Sequence, residues 1–266
     1  MLVDAPLERL APFERVAFRA MDLVNRRARG LTELWLRHVS ASWMTFGSRR
    51  MMRVLGLERL AGLRYEDGIL LVSNHRSFFD LYMLAVQLHR HTVLRQPVLC
   101  PVRADFFYRH ALGVALNLIV GGGRMFPPFF REPEKQEFNK WAITRVAEEL
   151  TQGSVLVGFH PEGRRNLNDD PYEPLPAQPG VGRLVMESWP IIVPAFINGL
   201  SNDIIGDLRG NFTGSRRVIA VFGEPIDLTP YRKLGNRVSS HKRIADDLLR
   251  RIYALGEEER VARAER

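Results

Sequence analysis

The sequence predicts an α/β fold: a mostly parallel sheet flanked by helices, with an N-terminal amphipathic helical segment ahead of it. Three observations predict this. From residue 68 onward, short apolar runs of strand length alternate with longer stretches of helical periodicity, the pattern of strands joined by crossover helices. The runs are continuous rather than alternating, as in Gly68-Ile69-Leu70-Leu71-Val72, which suits strands covered on both faces. Residues 7–60 instead carry apolar side chains at helical spacing with arginines between them.

In that first segment Leu10, Phe13, Val16, Ala17, Ala20, Met21 and Val24 recur with a helical period. A second helical stretch, 31–57, carries Leu34, Trp35, Trp43, Phe46, Met52 and Leu55. Basic residues interleaved with Trp, Phe and Leu suit a helix lying in a lipid interface. The same periodicity suits a helical layer packed on the main domain, and spacing does not separate the two. The expected division is residues 1–64 as a helical membrane-docking segment and 65–266 as the α/β domain. Within the latter, 68–72, 97–102, 154–159, 191–197 and 218–222 read as strands. Residues 78–89, 141–151, 181–188 and 241–255 read as helices. Residues 168–179, rich in proline and aspartate, read as a loop.

Hydrophobic content of 45% with 26% charged residues is that of a folded globular protein able to build a core without disulfides. Cys100 is the only cysteine, so an intrachain disulfide or a Cys-cluster zinc site is excluded. A lone thiol suits a reducing compartment. The net charge is +8, and residues 1–64 alone contribute +6. Such an excess attracts phosphate-bearing partners, whether lipid, nucleic acid or small substrate. Zinc-finger spacing, a basic zipper and an aromatic–glycine RNA signature are all missing, so no nucleic-acid partner is expected. The opening MLVDAPLERLAPFER places acids where a signal peptide needs an apolar core. The longest apolar run, 111–120, is far short of the about 18 residues a membrane span needs. The Gly-x-Ser-x-Gly elbow of a serine hydrolase does not occur. The Gly180-Val181-Gly182 triplet has Val185 where a dinucleotide fingerprint needs its third glycine.

Chemistry concentrates in four pieces. The first, Ser73-Asn74-His75-Arg76-Ser77-Phe78-Phe79-Asp80, directly follows an apolar strand. On a regular helix a separation of five rotates two residues about 140° apart. His75 and Asp80 can therefore meet only if His75 lies in the loop and Asp80 in the first helical turn. Ser77, three residues before Asp80, reads as an N-cap forming a capping box with it. A neutral imidazole can take a proton from a hydroxyl, and a carboxylate on its other nitrogen fixes the tautomer. The bound substrate's own hydroxyl then becomes the nucleophile. The second piece runs from Gly121-Gly122-Gly123-Arg124 to Arg131. The third, Phe159-His160-Pro161-Glu162-Gly163-Arg164-Arg165-Asn166, also follows a strand and offers a glycine for close approach with two arginines for phosphate or carboxylate. The fourth, Ile191-Ile192-Val193-Pro194-Ala195-Phe196, places a proline in a strand, which marks an edge or a bulge near a site.

In this order and spacing the four pieces resemble the blocks of the glycerolipid acyltransferases, the family of lysophosphatidic acid acyltransferases and tafazzin relatives. The family's Asn-His-x4-Asp is matched by Asn74, His75 and Asp80. Its second-block arginine is best matched by Arg131, with Arg124 the alternative. Its Phe-Pro-Glu-Gly-Thr-Arg-Ser is matched by Pro161, Glu162, Gly163 and Arg165, and its apolar run with proline by Val193 and Pro194. The resemblance spans about residues 68–228.

The resemblance implies His75 as general base and Asp80 as its orienting partner. It implies that Arg131, Glu162, Gly163 and Arg165 bind the glycerol phosphate of a lysophospholipid acceptor, with Pro194 in the fourth block. The donor is an acyl thioester, acyl-CoA or acyl carrier protein, acting as co-substrate; no cofactor or metal ion is expected. The enzyme is expected on the cytoplasmic face of a membrane, attached peripherally to an anionic surface. A catalytically inactive lipid-binding module is the first alternative, and retention of both His75 and Asp80 speaks against it; a basic nucleic-acid-binding protein is the second, supported by charge alone. Two departures stand out: His160 where the family has Phe, and Arg164 where it has Thr. Arg164 adds charge beside the acceptor site.

Overall fold

The computed structural model describes residues 4–265. The chain begins with helix α1 (Pro12–Arg27) and α2 (Arg29–Trp35), a π-helical turn over Leu36–Ser40, and α3 (Ala41–Ser48). Strand β1 (Met52–Leu55) and strand β2 (Gly68–Ser73) follow, then α4 (Asp80–His91). Next come β3 (Val98–Leu99), β4 (Val102–Arg103), α5 (Ala104–Phe107), α6 (Ala111–Gly121) and β5 (Pro128–Phe129). Helix α7 (Gln136–Gln152), β6 (Val155–Phe159), α8 (Gly180–Ser188), β7 (Ile191–Asn198), α9 (Ile204–Thr213), β8 (Val218–Phe222) and α10 (Val238–Ala264) complete the chain.

Six strands form the main sheet in the order β1-β8-β7-β2-β6-β3. Strands β7, β2, β6 and β3 are mutually parallel; β8 runs antiparallel to β7, and β1 pairs parallel with β8. The expected mostly parallel sheet flanked by helices is therefore present, with one antiparallel junction. Both faces are covered, which explains the continuous apolar runs. Leu70, Val72, Val157, Ile192 and Phe196 face a core with α7, α8, α10 and Phe18 of α1. Ile69, Leu71, Leu156, Val193 and Ala195 face a second core with Leu81, Leu84 and Leu88 of α4. The alternation along β2 is the period-two geometry of a strand. Each such side chain contributes roughly 1.5–3 kcal/mol by leaving water.

Several sequence readings need correction. The helical stretch expected over 31–57 ends at Ser48, and Met52–Leu55 is a strand paired with β8. Four residues of mixed polarity fit either period, and pairing with β8 decides. Gly56 makes the turn possible: its φ is +80°, and a Cβ there would lie 2.0 Å from the Phe222 carbonyl oxygen. The strand expected over 97–102 is broken at Cys100 and Pro101, so β3 joins the main sheet while β4 pairs with β5. At the break, the Cys100 N–H donates to Arg124 O at 2.9 Å instead of to a ladder. Helices α6 and α9 were not among the expected elements.

Candidate active site

The site lies where two parallel strands end side by side. Val72 of β2 is paired with Phe159 of β6. The chain leaving β2 carries His75, and the chain leaving β6 carries His160. Two motifs far apart in sequence are thus adjacent at the carboxyl ends of the strands, where α/β sheets place ligand sites.

Asn74 anchors the first loop. Its amide accepts from the Ile197 N–H at 2.9 Å and donates to the Ile197 carbonyl at 2.8 Å, copying a ladder pair on β7. Asp80, fully buried, opens α4. Its Oδ2 accepts from the Arg76 and Ser77 backbone N–H groups, each at 2.7 Å, and lies 3.4 Å from His75 Nδ1. The loop-then-helix arrangement required of a His-x4-Asp pair is present. Ser77 departs from its expected capping role: α4 begins at Asp80 with Phe79 at the N-cap, and the Ser77 hydroxyl donates to Ser201 O at 2.6 Å. Only the reciprocal half of the box remains, the Asp80 carboxylate on the Ser77 N–H.

Burial pushes His75 down to about 4, and the Arg165 charge acts in the same direction. Burial pushes Asp80 up to about 6, opposed by the His160 interaction and by the two backbone N–H groups. Near neutral pH the histidine is uncharged and the aspartate ionised. The carboxylate faces Nδ1, so the proton sits there and the Nε2 lone pair is left to act as a base. The 3.4 Å separation is long, as such contacts often are before substrate arrives.

Glu162, expected at the acceptor, is tied into the loops around His75. It is buried, and its carboxylate accepts from His75 N at 3.0 Å, Leu175 N at 2.9 Å, Tyr253 OH at 2.8 Å and Asn166 Nδ2 at 3.2 Å. Three of these donors are on Oε1 and one on Oε2, so most of its acceptor capacity is spent inside the protein. The carboxylate locks the His75 loop to the loop after β6 and to α10. Asn166 reinforces this by donating its N–H to His75 O at 2.6 Å. Sequence reading missed this scaffold: nothing local marks Tyr253, in the middle of α10, and only Asn166's position four residues after Glu162 hints at a partner.

Gly163 has φ of +67°, and a Cβ there would press on Gln178 Cγ at 2.8 Å. Beside it, Arg164 and Arg165 are exposed, and among the described residues neither makes an ion pair. Arg131 is exposed beyond β5, with its guanidinium 3.5 Å from Asp105. Arg124 is 2% exposed; it donates to Val98 O at 2.9 Å and Asn25 Oδ1 at 2.6 Å, pinning α1 to β3. That excludes the alternative second-block arginine from a ligand surface. Pro194 is buried within β7, an interior strand between β8 and β2, so it does not mark a sheet edge. It sits where the β8 ladder ends, with its carbonyl accepting from Gly223 N at 2.9 Å.

His75, Asp80 and His160 offer ligand atoms within 4.8 Å of one another. The two imidazoles, however, are stacked with centroids 3.8 Å apart and planes inclined by only 9°. Lone pairs lie in the ring planes, so parallel rings do not converge on one ion. The arrangement suits proton transfer to and from a hydroxyl.

A family model described as acyltransferase matches residues 52–198, more than half of the chain. No curated protein matches. Among solved structures the chain is similar to a 1-acyl-sn-glycerophosphate acyltransferase from Thermotoga maritima, at 16% identity. That likeness covers 89% of this chain and 92% of the other, with a TM-score of 0.47.

Proposed function

The chain belongs to the acyltransferase family, and on that premise we propose that it moves a fatty-acyl group from a thioester to a hydroxyl of a lysophospholipid, of the 1-acylglycerol-3-phosphate type, at a membrane surface. The observation that carries this reading is the uncharged His75 held on Asp80, with unpaired Arg164 and Arg165 exposed beside it. The acceptor hydroxyl gives its proton to His75 Nε2 as its oxygen attacks the thioester carbonyl. Asp80 stabilises the resulting imidazolium. The tetrahedral intermediate collapses, the C–S bond breaks, and the departing sulfur takes the proton back from His75. Products are the acylated lipid and the free thiol of coenzyme A or acyl carrier protein. Arg164, Arg165 and the exposed Arg131 supply charge for the acceptor phosphate, which guanidinium groups bind by paired hydrogen bonds. Gly163, in the left-handed region, makes the turn that presents Arg164 and Arg165.

Membrane attachment rests on the outer face of the helical layer. Leu31, Leu34, Trp35, Trp43 and Phe46 are exposed on α2 and α3, with Ile119 of α6 beside them. The Trp35 indole donates to Ile119 O at 2.7 Å, joining these elements into one surface. A soluble domain seldom exposes so much apolar surface without a partner. The net positive charge of residues 1–64 favours anionic lipid. Among the described residues no helix is long and apolar enough to cross a membrane. The attachment proposed is peripheral, and the cytoplasmic face is part of the proposal.

The test is acceptor-dependent thiol release from acyl-CoA, then from acyl carrier protein, across a panel of lysophospholipids. Release by the wild type that is lost in His75→Ala supports the reading, and the best acceptor identifies the head group. Acceptor binding without release from either donor would make the protein a lipid-binding module instead.

A further inference from the structure

His160 stands one residue beyond β6, in the register that brings it beside the end of β2. Its ring lies flat against His75, 3.8 Å away and 9° from parallel. It is itself anchored: His160 Nδ1 lies 3.1 Å from the Ser73 carbonyl oxygen. Ser73 Oγ lies 3.3 Å from the same nitrogen, so both polar contacts of Nδ1 are to Ser73 and the ring plane is set by the last residue of β2; with the proton on Nδ1 the ring donates to the carbonyl. Burial pushes His160 down to about 3, and the neighbouring His75 acts in the same direction, so the ring is neutral at physiological pH.

The Asp80 contact cannot alone hold the base. A long 3.4 Å hydrogen bond, beside an interaction with the Ser77 backbone, holds one edge of the imidazole but not its plane, since the terminal torsion is broad and shallow for histidine. A flat wall against one face removes that freedom. Displacements of about 1 Å at a reacting centre can cost 10²-fold in rate. We propose that His160 is a positioning residue for the acyl transfer: its ring, moored to Ser73, holds the His75 imidazole in the plane that keeps Nδ1 on Asp80 and Nε2 toward the acceptor. The proposal rests on His75 being the base.

Three variants test it: His160→Ala removes the wall, His160→Phe keeps a flat ring, and His160→Leu keeps bulk without a plane. His160→Ala is expected to lower kcat about 10–100-fold with KM changed less than about threefold. His160→Phe is expected to recover kcat to within about fivefold of wild type, and His160→Leu to stay near the alanine level. In ¹⁵N spectra, His75 should show one tautomer in the wild type and in His160→Phe, and a mixture in His160→Ala. A role confined to folding would lower the unfolding midpoint without producing that tautomer mixture or the planar rescue. Equal activity of the Phe and Leu variants would overturn the proposal, and so would a Phe variant as slow as Ala. That pair decides even if His160→Ala fails to fold. His75→Ala is assayed alongside: activity there refutes His75 as the base. An inactive His75→Ala beside a fully active His160→Ala refutes only the positioning role.

Discussion

The loop around His75 and the helical layer of α1–α3 face solvent on the same molecule under opposite rules. In the loop, polar groups are buried and nearly all are partnered: Asn74 on β7, Glu162 on four donors, Asp80 on two backbone N–H groups. In the layer, α1 sends Ala17, Phe18 and Met21 into the core while Val16, Leu23 and Leu31 stand exposed. Hydrogen bonds tied to strand ends fix atoms to within tenths of an ångström, which proton transfer needs. Apolar area is non-directional, which suits a fluid surface. The comparison teaches that precision and adhesion are supplied by separate parts of the chain, and should therefore be separable by substitution.

The largest effect should come from Asp80→Asn, which keeps the shape but offers Nδ1 the wrong partner. A loss of about 10²–10⁴ in kcat, with liposome binding unchanged, is expected. A variant retaining more than a tenth of wild-type turnover would break the link between the dyad and activity.

The layer has buried polar joints of its own, and one is charged on both sides, at Glu14. Burial alone would raise this carboxyl, yet Lys135, the Ala11 N–H and Arg109 together hold it below its ordinary range. Its carboxylate accepts from Lys135 at 2.7 Å and from Arg109 at 2.8 Å, tying α1 to the main domain. Glu14→Ala removes the closest partner of the buried Lys135 and leaves it, among the described residues, only the Glu132 carboxylate at 3.5 Å, and a loss of up to about 3 kcal/mol by denaturant unfolding is expected. A change below about 1 kcal/mol would mean the layer is not coupled to the core through this joint.

Adhesion is addressed by Leu31→Glu combined with Trp35→Glu. Binding to anionic vesicles should weaken at least about tenfold, since each side chain contributes roughly 1.5–3 kcal/mol when it leaves water. Turnover of a water-soluble short-chain substrate should stay within about twofold. Wild-type binding should also fall as salt rises. Loss of soluble-substrate turnover in the double variant would merge the two regions and undo the comparison.

A separate effect is on stability against pH. Burial holds His75 and His89 down to about 4 and His160 down to about 3, so below about 6.5 the unfolded chain binds protons that the folded chain refuses. Each histidine therefore costs stability as pH falls from there toward its folded value. Asp80, raised to about 6, acts with the opposite sign between its ordinary 3.8 and 6, but it is one group against three. The unfolding midpoint should decline steadily from pH 6.5 to 4, and a flat midpoint over that interval would contradict the buried, uncharged state of these rings.

Much of this was legible in the chain itself. The strand at 218–222 is where the apolar run placed it, and the His-x4-Asp spacing demanded the loop and first-turn positions that His75 and Asp80 occupy. Apolar runs, helical period and motif spacing are local properties, decided by neighbours in sequence. Whether Met52–Leu55 would be helix or strand was decided by β8, more than 160 residues later. Which of Arg124 and Arg131 stands exposed was decided by packing, and the anchoring of Glu162 in part by Tyr253 on the last helix. The stacking of His160 on His75 required the register of β2 on β6. Sequence determined which groups are present and on which elements they ride. Strand order, register and burial are long-range outcomes of packing, and they alone decided which groups face each other and which are free to meet a substrate.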